Sequence, residues 1–158
     1  MINKTILIAF LTLFTVASNA AEGALTVSKQ ATLDVQPATA WALLGDFNGL
    51  NNWHPAVTGS ELNSNGQKRV LTLGDGAKIH ETQLSHSDAD MSYTYKITES
   101  PLPVSDYVST IKVERNALGT STVTWSSSYN AAGVPDEKAI EIISGVYGGG
   151  LQSLETLY

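Results

Sequence analysis

The sequence has no cysteine in its 158 residues. This absence excludes a disulfide framework, thiol catalysis and thiolate metal ligation, so a hydrophobic core must stabilise the fold. Charged residues make up only 15%, and 9 basic residues stand against 15 acidic ones, which gives a formal net charge of −6. An acidic chain without lysine or arginine clusters is poorly suited to bind nucleic acid or an anionic membrane surface.

Long hydrophobic runs are also lacking, apart from one near the start of the chain. Lys4 precedes an apolar stretch over residues 5–16, and small residues follow at 18–20. This is the three-part layout of a secretory signal peptide. A retained membrane anchor is the alternative, but the stretch is shorter than the roughly 20 residues that span a bilayer. We predict a signal peptide over 1–20, one domain over 21–158 and a periplasmic or secreted protein without stable membrane insertion.

Apolar and polar residues alternate along most of the remaining chain, which predicts strands. The first strand covers 25–35, and a short helix over 38–44 is opened by Pro37 and ended by Gly45. A second short helix or turn then ends at Pro55. Further strands separated by short turns imply an antiparallel meander; they cover 57–62, 69–73, 78–84, 91–98, 107–114 and 122–129.

The last segment, from Asp136 onward, has a helical pattern. Its apolar residues recur at spacings of three and four and form one stripe, made of Ile140, Ile143, Tyr147, Leu151, Leu154 and Tyr158. Glycines at 148–150 interrupt the pattern, and each costs roughly 1 kcal/mol against alanine in a helix interior. The glycine run is either a tolerated kink or a face that borders a cavity.

Several short stretches, in this order along the chain, resemble one known superfamily. They are 37–41, 45–47, 53–55, 69–71 ahead of Gly76 and Glu81, Leu102 and Pro103 ahead of Tyr107, and 149–151. On these residues the chain is similar to START lipid-transfer domains, Bet v 1-like proteins and polyketide cyclases. The resemblance implies an α+β helix-grip fold, with two short helices after strand one and a curved antiparallel sheet of about seven strands that packs a long C-terminal helix on its concave face.

A lipocalin is the rival fold, but it lacks proline-started helices after strand one and does not normally end on a long buried helix. The superfamily holds its ligands between the sheet and the last helix, and the loop with Leu102 occupies the position of a pocket gate. The resemblance therefore implies a small hydrophobic or amphipathic ligand, with Trp53 and Leu102 near the entrance.

Alternation in the strands predicts which aromatic side chains point inward. Tyr93 and Tyr95 fall on the apolar face of one strand, Tyr107 on that of the next and Trp125 on that of the last. Together with Tyr147 of the last helix, these rings either line a ligand pocket or pack as ordinary core.

The hairpin around residues 74–76 predicts a charged pair on the same inner face. If Leu73 faces Ala77, then Arg69 faces Glu81 across the two strands. A buried ion pair is costly unless it is fully hydrogen-bonded. It is therefore either a structural pair near the rim of the sheet or the polar end of a pocket, where Arg69 and Glu81 orient a ligand. A register slip of one residue would place both side chains in solvent.

The sequence has three histidines, and alternation puts His80 and His86 on the outer face. It has no metal-ligand spacing, no phosphate-binding glycine loop and no Gly-x-Ser-x-Gly turn, so we predict neither a metal nor a cofactor. His54 is either a general base at the mouth of the pocket or a cap of its turn.

Three functions are compatible with these observations, and the first is our prediction. It is an exported protein that binds a small hydrophobic molecule. The second is an enzyme of cyclase or dehydratase type, in which His54 or Glu81 transfers a proton to or from the bound molecule. The third is an accessory protein of a periplasmic oxidation system, whose partner is another exported protein and whose interior is filled by side chains.

Overall fold

The computed structural model describes residues 23–158, so the predicted signal peptide over 1–20 lies outside the described residues. The elements are β1 (Leu25–Leu33), α1 (Pro37–Leu44), a 3₁₀ turn (Leu50–Asn52), β2 (Val57–Leu62), β3 (Lys68–Leu73), β4 (Lys78–Ser87), β5 (Ser92–Glu99), β6 (Val104–Arg115), β7 (Ser121–Ala131) and α2 (Asp136–Leu157).

These strands form one antiparallel sheet in the order β1-β7-β6-β5-β4-β3-β2. Pairing of Leu25 with Tyr129 and of Leu33 with Ser121 brings the first strand beside the last. The long helix α2 packs on this part of the sheet, in contact with β1 and β7. The α+β helix-grip architecture predicted from the sequence is confirmed.

The segment after β1 contains one helix and one turn. α1 begins at Pro37. Proline lacks a backbone N–H, and this costs nothing in the first turn of a helix, where that N–H would have no intrahelical acceptor. It ends at Gly45, as predicted. The expected second helix is only the three-residue turn Leu50–Asn52. Trp53 and His54 follow this turn directly, and both side chains are buried.

The hairpin between β3 and β4 has the predicted register. Leu73 donates its N–H to the carbonyl of Ala77 at 2.9 Å, and Gly76 adopts φ +87, a conformation that glycine tolerates best. Arg69 therefore lies opposite Glu81. Both side chains are buried on the inner face of the sheet.

His86 does not lie on the outer face, and that prediction is wrong. A register shift between Gln83 and Ser85 inserts one extra residue into β4. Alternation is reversed beyond such a bulge. His86 therefore faces Tyr93, and the two rings stack with 6.3 Å between their centres and 6° between their planes. His80 precedes the bulge and lies on the outer face, as predicted.

α2 runs through the three glycines without a break in its helical structure. Its buried stripe consists of Ala139, Ile143, Tyr147, Gly150, Leu151 and Leu154. Ile140 and Tyr158 were predicted to belong to this stripe, but each is 37% exposed. The buried stripe begins at Ala139. Ile140 falls outside the stripe because each residue is rotated by about 100° around the helix axis from the one before it.

Candidate functional site

A cavity of about 100 Å³ lies between the concave face of the sheet, the loop after the 3₁₀ turn and the middle of α2. Most of its lining is apolar, because the inward-facing residues of the strands supply it. The lining residues are Leu50, His54, Ala56, Val57, Leu71, Leu73, Ile79, Glu81, Tyr95, Ile97, Leu102, Tyr107, Trp125 and Val146.

The predicted site residues fall into two groups. Those that line the cavity are Glu81, Tyr95, Leu102, Tyr107 and Trp125, together with the candidate base His54. Those that lie outside the lining are Trp53, Arg69, Tyr93 and Tyr147, and all four are buried. Direct contact of either group with a ligand stays a prediction.

Arg69 and Glu81 form a buried ion pair beside the cavity. Arg69 Nε donates to Glu81 Oε2 at 2.5 Å, and the two side chains are 0% and 4% exposed. Arg69 Nη1 donates to the carbonyl of Phe47, and the guanidinium carbon lies 4.1 Å from the centre of the Phe47 ring. Arg69 is thus enclosed by protein, whereas Glu81 belongs to the cavity wall.

The environment of Glu81 changes its acidity. Burial raises the pKa of the Glu81 carboxyl, and the adjacent Arg69 guanidinium opposes this rise. A carboxyl with a raised pKa in the wall of an apolar cavity is the kind of group that exchanges protons with a bound molecule.

A hydrogen-bonded cluster fixes the aromatic side of the cavity. The hydroxyls of Tyr107 and Tyr147 are 2.5 Å apart, and the Tyr147 hydroxyl is 3.1 Å from Ser109 Oγ. Trp125 Nε1 donates to Ser109 Oγ at 3.0 Å and to the Tyr95 hydroxyl at 3.1 Å. The rings of Trp125 and Tyr147 also stack with 4.3 Å between their centres. These contacts hold the rings in fixed orientations.

The tyrosines of this cluster stay protonated at neutral pH. Burial raises the pKa of Tyr147 to about 12. Burial also raises the pKa values of Tyr95 and Tyr107 well above the usual tyrosine value. They can therefore hydrogen-bond a ligand as neutral phenols, but they are weak acids at neutral pH.

Both ring nitrogens of His54 are engaged by backbone groups. Nε2 lies 2.9 Å from the carbonyl oxygen of Val146 in α2, and Nδ1 accepts from the N–H of Ala56 at 3.2 Å. This pattern requires a neutral ring with its proton on Nε2. Burial lowers the pKa of His54, against the opposite effect of its backbone hydrogen bonds. The geometry therefore favours the turn-capping role, since neither nitrogen is free to accept a proton from a ligand.

α2 approaches this loop most closely at Gly150. A Cβ atom at this position would lie 2.6 Å from His54 Cδ2, 3.0 Å from Trp125 Cζ3 and 3.1 Å from Trp53 Cζ3. The absence of a side chain is therefore required here. The two preceding glycines meet nothing within 4 Å. The glycine run thus borders the site at one position only.

Comparison with known proteins identifies the family to which this site belongs. Residues 24–158 match the family model described as polyketide cyclase/dehydrase and lipid transport. The chain belongs to this family. As a member of the polyketide cyclase/dehydrase and lipid transport family, it is a START/Bet v 1-like ligand-binding or polyketide cyclase-like protein. The fold hosts carriers as well as enzymes, so the activity has to be argued from the cavity itself.

Solved structures agree with this family membership. XoxI from Bacillus cereus is 34% identical with a TM-score of 0.82, over 84% of this chain and 94% of that one. An uncharacterised protein from Bacillus thuringiensis has the same identity and TM-score, over 84% and 98% of the two chains. A START superfamily protein from Mycobacterium smegmatis is 12% identical with a TM-score of 0.69, over 83% and 94%, and shows the shared fold alone. No curated protein matched the sequence.

The site residues named from the sequence leave out most of the apolar lining of this family member's cavity. The missed residues are Leu50, Ala56, Val57, Leu71, Leu73, Ile79, Ile97 and Val146. Strand alternation could have identified those in β3, β4 and β5, because they lie on the same face as Arg69, Glu81 or Tyr95. Helix periodicity could not have identified Val146, because it lies beside the buried stripe of α2 and not in it.

Within residues 23–158, no group of three or more histidine, aspartate or glutamate side chains is placed to hold a metal ion. The helices of this same range include none that is long and apolar enough to cross a membrane.

Proposed function

We propose that this protein is exported and binds a small hydrophobic or amphipathic molecule in the cavity between the sheet and α2. The observation that supports the binding function best is the cavity itself. It is mostly apolar, it borders one carboxyl group, and it lies where the resemblance implies that ligands bind, between the sheet and the last helix of a member of the polyketide cyclase/dehydrase and lipid transport family.

The volume of the cavity limits the size of the molecule it can enclose. About 100 Å³ is well below the roughly 300–1,000 Å³ of pockets that take drug-sized ligands. It is closer to the roughly 150 Å³ of a cavity that binds benzene. A single ring or a short alkyl chain with one polar group fits such a space.

The polar groups of the lining determine how such a molecule would be oriented. Oε2 of Glu81 is held by Arg69, and the hydroxyl of Tyr107 is engaged by Tyr147. A ligand hydroxyl or amine that donates to Glu81 would be fixed at that point. The face of Trp125 would cover the apolar part of the ligand.

The binding function is tested with a cavity-filling variant. Native mass spectrometry of the protein from its own host should show a bound small molecule, and calorimetry should show binding of phenol. Val57→Phe fills the cavity and should abolish both, whereas the matched control Val70→Phe, on the outer face of β3, should bind normally. A wild-type protein that carries no small molecule and does not bind phenol would overturn the proposal.

Export is tested on the full-length chain. Expression in a bacterial host should yield a protein that starts near Ala21 and is released with the periplasm. Leu13→Arg interrupts the apolar stretch and should keep an uncleaved protein in the cytoplasm. Wild-type protein that retains residues 1–20 in the cytoplasm would refute export and leave the binding function intact.

A cyclase- or dehydrase-like enzyme is the second candidate, and the position of Glu81 favours it. Its carboxyl borders the cavity and its pKa is raised by burial. Glu81→Gln separates the two functions because it keeps the shape of the side chain and removes the acid. An enzyme should lose turnover of a polyketide-like substrate by about 10²–10⁴-fold. A binding protein should show no turnover in either form, and phenol should still bind to the variant.

A further inference from the structure

The sheet is split between β5 and β6 at the end that borders the cavity. Pairing of these strands stops at Lys96 and Val108. β5 nevertheless continues to Glu99, and β6 begins at Val104. The two strands therefore run on beyond their last paired residues.

Local irregularities on both sides hold this split open. β5 stays paired with β4, with a register shift between His80 and Glu81. β6 stays paired with β7, with a shift that contains Asp106 at φ +52. The Asp106 carboxylate accepts a hydrogen bond from Asn130 Nδ2 at 3.0 Å. A non-glycine residue in this conformation is costly, so its presence indicates that the opening is specified by the sequence.

The split connects the outer surface with the interior. On the outer face it forms a groove of about 680 Å³. Ile97 and Tyr107 line this groove and also line the inner cavity. These are the two residues that the next rung of an unbroken β5–β6 hairpin would pair. They form a shared wall between the groove and the cavity.

We propose that the split is a side entrance to the cavity and that the ligand is a slim amphipathic chain that lies through it. This inference rests on the proposed binding function and specifies its ligand class. The apolar tail would occupy the inner cavity, which is too small for more than a few carbons, and displacement of the Ile97 side chain would join the cavity to the groove. The head and the rest of the chain would lie in the groove outside.

The charges of the groove select the head group. Its lining contains one ammonium group, on Lys96, and two carboxylates, on Glu99 and Asp106. This balance favours a neutral or cationic head over a carboxylate. Leu84 also lines the groove and is 50% exposed, so it offers apolar contact to a chain that leaves the cavity.

A blocked groove tests this inference. Thr98 is exposed in the groove, and Thr98→Trp would fill it. The matched control is Thr32→Trp, at an exposed position of β1 outside the groove. Calorimetry with decyltrimethylammonium, decanoate and phenol should show that the wild type prefers the cationic decyl chain. Thr98→Trp should weaken its binding by about tenfold or more and spare phenol, and Thr32→Trp should change neither.

A measurement on the wild type covers the case in which Thr98→Trp fails to fold. Nuclear Overhauser contacts should connect the trimethylammonium protons with the methyl groups of Leu84 and Val108, and the chain terminus with Leu71. Head contacts elsewhere, or unchanged decyl affinity in folded Thr98→Trp, would overturn the side entrance and leave the proposed function standing. Failure of the wild type to bind phenol and both decyl compounds would overturn both.

Discussion

His54 and the pair of Arg69 and Glu81 are polar groups buried in a largely apolar interior, and His54 and Glu81 both line the cavity. His54 uses both ring nitrogens to join a loop to α2. Glu81 belongs to the cavity wall, and Arg69 keeps its charge compensated. At the scale of single residues, the site is therefore built by buried polar groups that pair with each other or with the backbone, and Arg69 Nη2 is a buried atom of these groups left without a partner.

His54 should make the stability of the protein depend on pH. Burial lowers the pKa of His54 in the folded protein below the ordinary histidine value of 6.5, so the unfolded chain binds more protons between the two values. Stability from this residue is therefore complete above about pH 6.5 and is lost as the pH falls below it. Urea midpoints between pH 5 and 8 should show this loss in the wild type.

His54→Gln is the matched variant for this test, because an amide can still donate to the carbonyl of Val146 but does not titrate. The wild-type loss of stability below pH 6.5 should be smaller in this variant. Glu81 acts in the opposite direction, since its raised pKa makes stability fall as the pH rises above the ordinary glutamate value. Identical pH profiles of wild type and variant would show that His54 does not titrate differently on folding.

The ion pair of Arg69 and Glu81 should behave as a coupled unit. Arg69→Met or Glu81→Met leaves one buried charge alone and should cost about 3–5 kcal/mol of unfolding free energy. The double variant should lose much less than the sum of the two single losses. Urea unfolding of the four proteins measures this coupling.

The exposed pair of Lys112 and Glu114, 2.7 Å apart, is the control for this cycle. Its coupling energy should be about 0–1 kcal/mol, because solvent screens both charges. A coupling of Arg69 with Glu81 as small as that of the surface pair would show that the buried pair is hydrated in solution.

At the scale of elements, α2 contains glycines with opposite roles. A Cβ at Gly150 would meet rigid ring atoms of His54, Trp125 and Trp53. At Gly145, Gly148 and Gly149, a Cβ would meet nothing within 4 Å. One glycine is thus required by packing, and the others only reduce helix stability.

Alanine at Gly148 or Gly149 should stabilise the protein by about 0.8–1 kcal/mol, the difference in helix propensity. The exposed helix position Gly145 should respond in the same way. Thermal unfolding of the three single variants checks this prediction. No stabilisation at any of them would contradict the open space around these three positions.

Gly150→Ala should have the opposite effect. Overpacking of a core costs typically 1–3 kcal/mol, and the nearest atom, His54 Cδ2, would be only 2.6 Å from the new Cβ. Urea unfolding should show that Gly150→Ala is less stable than the wild type, whereas Gly149→Ala is more stable. Equal gains at both positions would show that the loop with His54 can move away from α2.

At the scale of the whole molecule, alternation and turn chemistry predicted the sheet, its antiparallel order and the register that opposes Arg69 to Glu81. They failed where the backbone is irregular. The bulge at Gln83 turned His86 inward, and helix periodicity misplaced Ile140. The cavity wall was only half predicted, because a strand pattern says which face a residue is on and not whether a space is left in front of it. Resemblance supplied the expectation that a ligand binds between the sheet and the last helix.

The pairing of β1 with β7 has a consequence for the order in which the chain folds. Leu25 and Tyr129 are neighbours in the sheet although they lie 104 positions apart in the sequence. Such distant contacts make folding slow, because a large loop must close before they form. α2 packs on the same two strands and follows them in the chain. The native sheet therefore closes only after β7 has been synthesised, so β1 waits without its partner strand while most of the chain is made.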